Sequence, residues 1–143
     1  MWSTEASATT EAQPEAVWEL WADVGNWKEW DPGVEGSSID GPFAEGTRYV
    51  LKPKGGPKVK AVLTDVRPGE RFSDRTRLPL ANLDFFHKTE RVGEGTCVTH
   101  RVEISGPLSF AFARLMGRGF EEGLPETVRN LARLAEVREG ARP

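Results

Sequence analysis

Two histidines, one aspartate and one tyrosine are the side chains whose type and spacing point to chemistry in this sequence. His87 and His100 are the only histidines. Each sits in a segment of alternating apolar and polar residues, the period of a strand with one buried face. Val98, Val102 and Ile104 share a face with His100, while Thr99, Arg101 and Glu103 take the other. On the preceding segment Leu83, Phe85, His87 and Thr89 lie opposite Asp84, Phe86, Lys88 and Glu90. Aligning the two charged faces requires an even loop, and a two-residue Gly93-Glu94 turn of type II′ sets His87 directly across from His100. A four-residue loop keeps both on one side, and a three-residue loop sends one outward. Imidazole titrates near neutrality. An inward pair therefore serves either as a hydrogen-bonded core pair or as a general base and donor to a bound carbonyl. Two histidines with no third placed ligand do not define a metal site, and no metal is expected.

Asp74 follows the same logic. In 71–78, Phe72, Thr76 and Leu78 alternate with Arg75 and Arg77, which puts Asp74 on the apolar side. A one-residue slip would return it to the surface. An inward carboxyl near a histidine is an acid/base pair suited to moving protons alpha to a carbonyl, so His87, His100 and Asp74 are the candidate catalytic residues. Tyr49, the only tyrosine, alternates with Thr47 and Leu51. With Leu63, Phe72, Phe85, Phe112, Met116 and Phe120 it forms the candidate ligand-binding lining, which suits a flat or flexible apolar molecule and equally a closed core. No G-x-S-x-G elbow, Gly-rich phosphate loop, H-E-x-x-H or C-x-x-C occurs, so no cofactor is expected. What remains is binding, or proton transfer on a bound small molecule.

These residues need a sheet and a helix to hold them. Trp2 to Thr10 reads as a strand. Thr10 and Gln13 resemble a capping box, and Pro14 suits a first helical turn. A short amphipathic helix through Val24 and a second over 26–30 follow, carrying four of the five tryptophans as expected core. From Val34 the segments between Gly and Pro read as strands: 34–39, 47–53, 58–67, 71–78, 83–92 and 96–105. Their connections are too short for parallel crossovers, so the neighbours are antiparallel. About seven strands result. Leu108, Phe112, Leu115, Met116, Phe120, Leu124, Val128, Leu131 and Leu134 then recur at helical spacing as one apolar stripe. Gly117, Gly119, Gly123 and Pro125 interrupt it, so a kink or break is expected near 117–125. That would divide the segment into 108–123, a mobile gate or a loop between two helices, and a firm helix over 124–137.

The chain has 143 residues, 38% hydrophobic and 29% charged, with a net charge of −3. That describes a globular domain over 1–139 with a short tail at 140–143. No apolar run approaches the ~20 residues of a membrane-spanning helix, and the first ten residues lack the regions of a signal peptide. The single cysteine, Cys97, suits a reducing cytoplasm. Lys52, Lys54, Lys58 and Lys60 cluster around Gly55-Gly56-Pro57 as a solvated hairpin tip, and no nucleic-acid partner is expected. Oligomeric state is left open.

Two runs carry a family resemblance. V-W-x-x-W-x-D-V-x-x-W-x-x-W-D-P spans Val17 to Pro32, and G-T-x-V-T-H-R-V-E-x-S-G-P-L spans Gly95 to Leu108. With the element order, they make the chain similar to the SRPBCC (START/Bet v 1-like) superfamily, above all to its polyketide cyclase/dehydrase and lipid-transport-like proteins. The resemblance implies an α+β helix-grip fold, in which a curved antiparallel sheet wraps a long C-terminal helix around a deep pocket. It also implies a small hydrophobic ligand such as a lipid or polyketide-like aromatic. Carriers, cofactor-independent cyclases or dehydrases, and chaperone-activating interaction modules all share this fold, so the resemblance names no reaction. The absence of a Rieske Cys/His pattern argues against an oxygenase subunit.

Overall fold

Alternation along the chain becomes a single curled sheet gripping one helix. The structure, a computed structural model, describes residues 1–141. It runs β1 (Trp2–Thr10), α1 (Pro14–Ala22), a 3₁₀ segment (Val24–Glu29), β2 (Val34–Ile39), β3 (Arg48–Pro53), β4 (Val59–Arg67), β5 (Arg71–Leu78), β6 (Ala81–Val92), β7 (Gly95–Ser105) and α2 (Ser109–Gly140). All seven strands pair antiparallel in the order β1-β7-β6-β5-β4-β3-β2. This is the helix-grip architecture expected. No helix among the described residues is long and apolar enough to cross a membrane.

The β6–β7 hairpin closes on Gly93-Glu94, with Val92 paired to Gly95 and His87 to His100. Gly93 takes φ +62° while Glu94 does not turn positive, the signature of the type II′ turn. Register, turn type and the inward direction of both histidines thus agree with the alternation.

Three local expectations change. Thr10 and Gln13 form no capping box. Gln13 is the N-cap without a side-chain bond, and the Thr10 hydroxyl instead donates to Ala132 O at 2.9 Å. The free amides before α1 find carboxylates on α2: Glu11 N–H donates to Glu136 at 2.8 Å and Gln13 N–H to Glu139 at 2.8 Å. Glu139 thus takes the Gln13 N–H that a capping box would have paired with the Thr10 hydroxyl. Second, α2 is one helix through Gly117, Gly119, Gly123 and Pro125, without the expected break. Packing on β1 and β7 holds it, and Gly117 is itself part of that packing. A Cβ there would lie 2.9 Å from the Trp2 ring, so glycine is what lets helix and strand approach. Third, Leu115 leaves the apolar stripe and faces solvent at 79% exposure. The buried face shifts along the helix toward Gly117, Leu124, Thr127, Val128, Leu131, Ala132 and Ala135. The tail expected at 140–143 falls partly outside the described residues: Gly140 ends α2, and 142–143 lie beyond.

Burial is uneven along α2. From Leu124 onward it carries six buried residues, whereas Ser109 to Gly123 has only Gly117. The first half of the helix rests on the sheet through partly buried Phe112, Ala113, Met116 and Phe120.

Candidate active or ligand-binding site

Strand pairing fixes three rungs across the inner face of the sheet. One is Ala6–His100–His87–Phe72, the next Val102–Phe85–Asp74–Leu63, and the third Ile104–Leu83–Thr76. Tyr49 pairs with Ala61, which shares a face of β4 with Leu63, the partner of Asp74. The structure therefore brings His87, His100 and Asp74 onto adjoining rungs of one face.

Their surroundings differ. The histidines lie among aromatic rings. His87 stacks on Phe72, with centroids 3.9 Å apart and planes at 5°, and meets His100 edge-on at 4.6 Å. The Trp21 indole N–H donates to His100 Nε2 at 3.2 Å, so the proton of neutral His100 sits on Nδ1. His87 Nδ1 lies 3.2 Å from Phe72 O, which can only accept, so its proton also sits on Nδ1. Burial pushes His87 down to about 3. Burial first, and the neighbouring His87 second, hold His100 well below the usual imidazole range. Both are neutral hydrogen-bonded rings at physiological pH. Trp18, Trp27, Trp30, Phe43, Tyr49, Leu63 and Leu131 pack in the same cluster. The Trp21, Trp30 and Phe72 rings pack closely against the two histidines on the inner face.

Asp74 is different. Its carboxyl is fully buried, and neither oxygen has a hydrogen-bond partner of acceptable geometry. Burial pushes it up to about 8; the nearby Tyr49 phenol opposes the rise and Asp84 adds to it. Burial, and then Asp74, hold the Tyr49 phenol well above its ordinary range. At neutral pH Asp74 is therefore a protonated acid beside the Tyr49 phenol, with no described residue, Tyr49 included, in good hydrogen-bonding geometry to its oxygens. Buried polar groups left unpaired are uncommon, because each forfeits its hydration without return. Trp30 Nε1 is a second buried donor without a partner.

The expected lining divides in two. Tyr49, Leu63 and Phe72 belong to the closed tryptophan-rich cluster. Phe85, Phe112, Met116 and Phe120 form a second, partly open cluster with Leu83, Val102, Ile104 and Leu124. Phe85 and Phe120 meet edge-to-face at 5.5 Å. Phe85 is also the β6 partner of Asp74, so the carboxyl lies where the two clusters meet. A half-open groove of about 560 Å³ lies not between sheet and helix but around Phe86, Arg71, Lys88 and Arg101, with Phe72 and His87 also among its lining residues. Its charges are already matched: Arg71 pairs with Asp65 at 2.8 Å and Arg101 with Glu103 at 2.8 Å.

The role of Trp21 as donor to His100 was not visible in the sequence. The two residues are 79 positions apart. A helix of apolar spacing indicates that Trp21 is buried, not where its N–H points. Among the described residues, no group of three or more His, Cys, Asp and Glu is placed to hold a metal.

A curled antiparallel sheet around one long helix, with an inward polar set beneath it, defines a helix-grip protein of the SRPBCC superfamily. Residues 1–136 match the profile described as polyketide cyclase / dehydrase and lipid transport, and the chain belongs to that family. Among solved structures it is similar to the di-domain ARO/CYC StfQ from the steffimycin biosynthetic pathway (TM-score 0.77, 15% identity). That match covers 97% of this chain and 52% of StfQ, so the chain spans about half its length. It also resembles MLL2253 from Mesorhizobium loti (TM-score 0.75, 16% identity, 99% of this chain and 100% of that one). TTHA0849 from Thermus thermophilus is similar as well (TM-score 0.72, 19% identity, 98% and 99%). At these identities the likeness concerns the fold. No curated protein sequence matches the chain.

Proposed function

We propose that this protein binds a small, flat apolar molecule bearing a carbonyl or similar acceptor, between the sheet and the first half of α2. The observation that carries the proposal is Asp74: a fully buried, protonated carboxyl without a partner, on the inner face of a fold whose family comprises cyclases, dehydrases and lipid carriers. An acceptor on the ligand would take the Asp74 O–H, with Tyr49 and Leu63 at the closed end. Phe85, Phe112, Met116 and Phe120 would cover the apolar body. Entry requires the loosely packed first half of α2 to move off the sheet, since Asp74 is sealed from solvent. His87 and His100, held neutral among rings, would shape the wall beside Phe72. The lone Cys97 accords with a cytoplasmic setting.

The test compares anthraquinone with anthracene, two flat molecules that differ in their carbonyls. Fluorescence titration and native mass spectrometry should show one-to-one binding of anthraquinone. Asp74→Leu should weaken anthraquinone about tenfold, the value of one net hydrogen bond, and leave anthracene unchanged. Equal weakening of both, or no binding of either, sinks the proposal.

Catalysis is the second reading, and one observation favours it. A carboxyl titrating at about 8 exchanges its proton near working pH, as a general acid of a cyclase or dehydrase must. Turnover of a poly-β-ketone substrate falling as pH rises through that value, and abolished in Asp74→Asn, would establish it.

A further inference from the structure

The charge of this protein is distributed by position in the fold. In an antiparallel meander alternate turns share an end, so the β3–β4 turn, the β5–β6 turn, the β7–α2 junction and the start of β1 lie together. The turns meeting there, 52–60, 77–81 and 106–118, hold seven of the 19 basic residues and no acidic one, while the start of β2, paired with the end of β3, brings Glu35 to the same end. Lys54 and Lys58 are exposed on the first turn, Arg77 at the end of β5, and Arg114 and Arg118 on α2. Carboxylates reach only part of this set: Glu35 pairs with Lys52 and Glu122 with Arg118. A protein with net charge −3 thus carries one cationic end.

The same end exposes large apolar side chains. Leu80 is 67% exposed, Phe110 72% and Leu115 79%. Leu80 is tied to the start of α2 by Leu108 N–H donating to its carbonyl at 3.0 Å. It is also, among the described residues, the one non-glycine residue with positive φ, at 54°. A leucine kept in a conformation glycine would adopt without strain, with its side chain in water, has no use in the folded core. Gly117 beside Trp2, the first residue of β1, sets the first turns of α2 at the rim of the sheet.

We propose that this end is a docking surface for an anionic lipid bilayer. Leu80, Phe110 and Leu115 enter the headgroup layer, and Lys54, Lys58, Arg77 and Arg114 face lipid phosphates. Apolar tips ringed by basic residues are the pattern of interfacial binding. A second copy of the chain fits poorly, because an isologous contact would set the same arginines against each other. The proposal does not depend on Asp74 or on any ligand, although the partly open cluster of Phe112, Met116 and Phe120 borders the same end.

Co-sedimentation with phosphatidylcholine vesicles, with and without phosphatidylglycerol, tests it on the full chain. The protein should pellet with the anionic vesicles, less so as salt is raised. Lys54→Gln and Lys58→Gln should each lower the partition coefficient about fivefold. Phe110→Ser with Leu115→Ser should abolish pelleting while circular dichroism stays unchanged. Arg133→Gln, at the opposite end of α2, should have no effect. Four results would overturn the proposal: no partition, equal partition into neutral vesicles, insensitivity to the Phe110/Leu115 change, or a dimer in solution that this change dissociates.

Discussion

Replacing Asp74 with asparagine should change how stability depends on pH, and the size of the effect follows from burial. In the folded protein Asp74 keeps its proton up to about 8, against 3.8 for an exposed aspartate. Between those values the unfolded chain is ionised and the folded one is not, so unfolding releases a proton. Rising pH then favours unfolding, by about 1.4 kcal/mol per pH unit. Asparagine has nearly the same shape and no proton to release. The stability difference between Asp74→Asn and the parent should therefore grow, in favour of the variant, by about 3 kcal/mol from about pH 5 to pH 7. His87 works in the opposite sense. Its folded value of about 3 lies below the ordinary 6.5, so acid stabilises the unfolded chain below pH 6.5. His100 has the same sign. The histidines are present in both proteins and cancel in the difference. Urea denaturation across this pH range, with the slope m checked for constancy, measures the quantity directly. A difference that does not vary with pH would mean that Asp74 is ionised in the fold, and would remove the basis for its role as a donor.

Other substitutions test the packing. Gly117→Ala should destabilise by about 1–3 kcal/mol, because its Cβ would sit 2.9 Å from the Trp2 ring and strand and helix must separate. Gly119→Ala and Gly123→Ala, with nothing near the new Cβ, should each stabilise by about 0.5–1 kcal/mol through helix propensity, as thermal denaturation will show. Trp21→Phe keeps most of the ring but leaves buried His100 Nε2 without its donor, so a loss of about 2 kcal/mol in urea denaturation is expected. Leu80→Gly relieves a positive φ at an exposed position and should raise stability by about 1 kcal/mol in the same assay.

Much of this architecture was legible in the chain, since each legible feature rests on a local rule. A period of two with Gly-Glu between the last strands determined the β6–β7 register, and with it the meeting of His87 and His100. The same period turned Asp74 inward. Helical spacing revealed α2. Where local rules misled, a distant partner had supplied what the rule assumed was missing. Glu136 and Glu139 satisfy the amides before α1 in place of a capping box. Packing against Trp2 and the sheet carries α2 across Gly117 and Pro125, where propensity alone predicts a break. Only the tertiary structure decided which inward polar groups are satisfied. Alternation assigns a side chain to a face, but a hydrogen bond depends on atoms brought together from positions far apart in the chain. Trp21 and Phe72 reach the histidines and complete them. Among the described residues none, the nearby Tyr49 phenol included, reaches the carboxyl of Asp74 with good hydrogen-bonding geometry, and its burial keeps it protonated. The segregation of basic residues was likewise written in the sequence, yet it became one surface only when antiparallel pairing gathered three separate segments at the same end of the sheet.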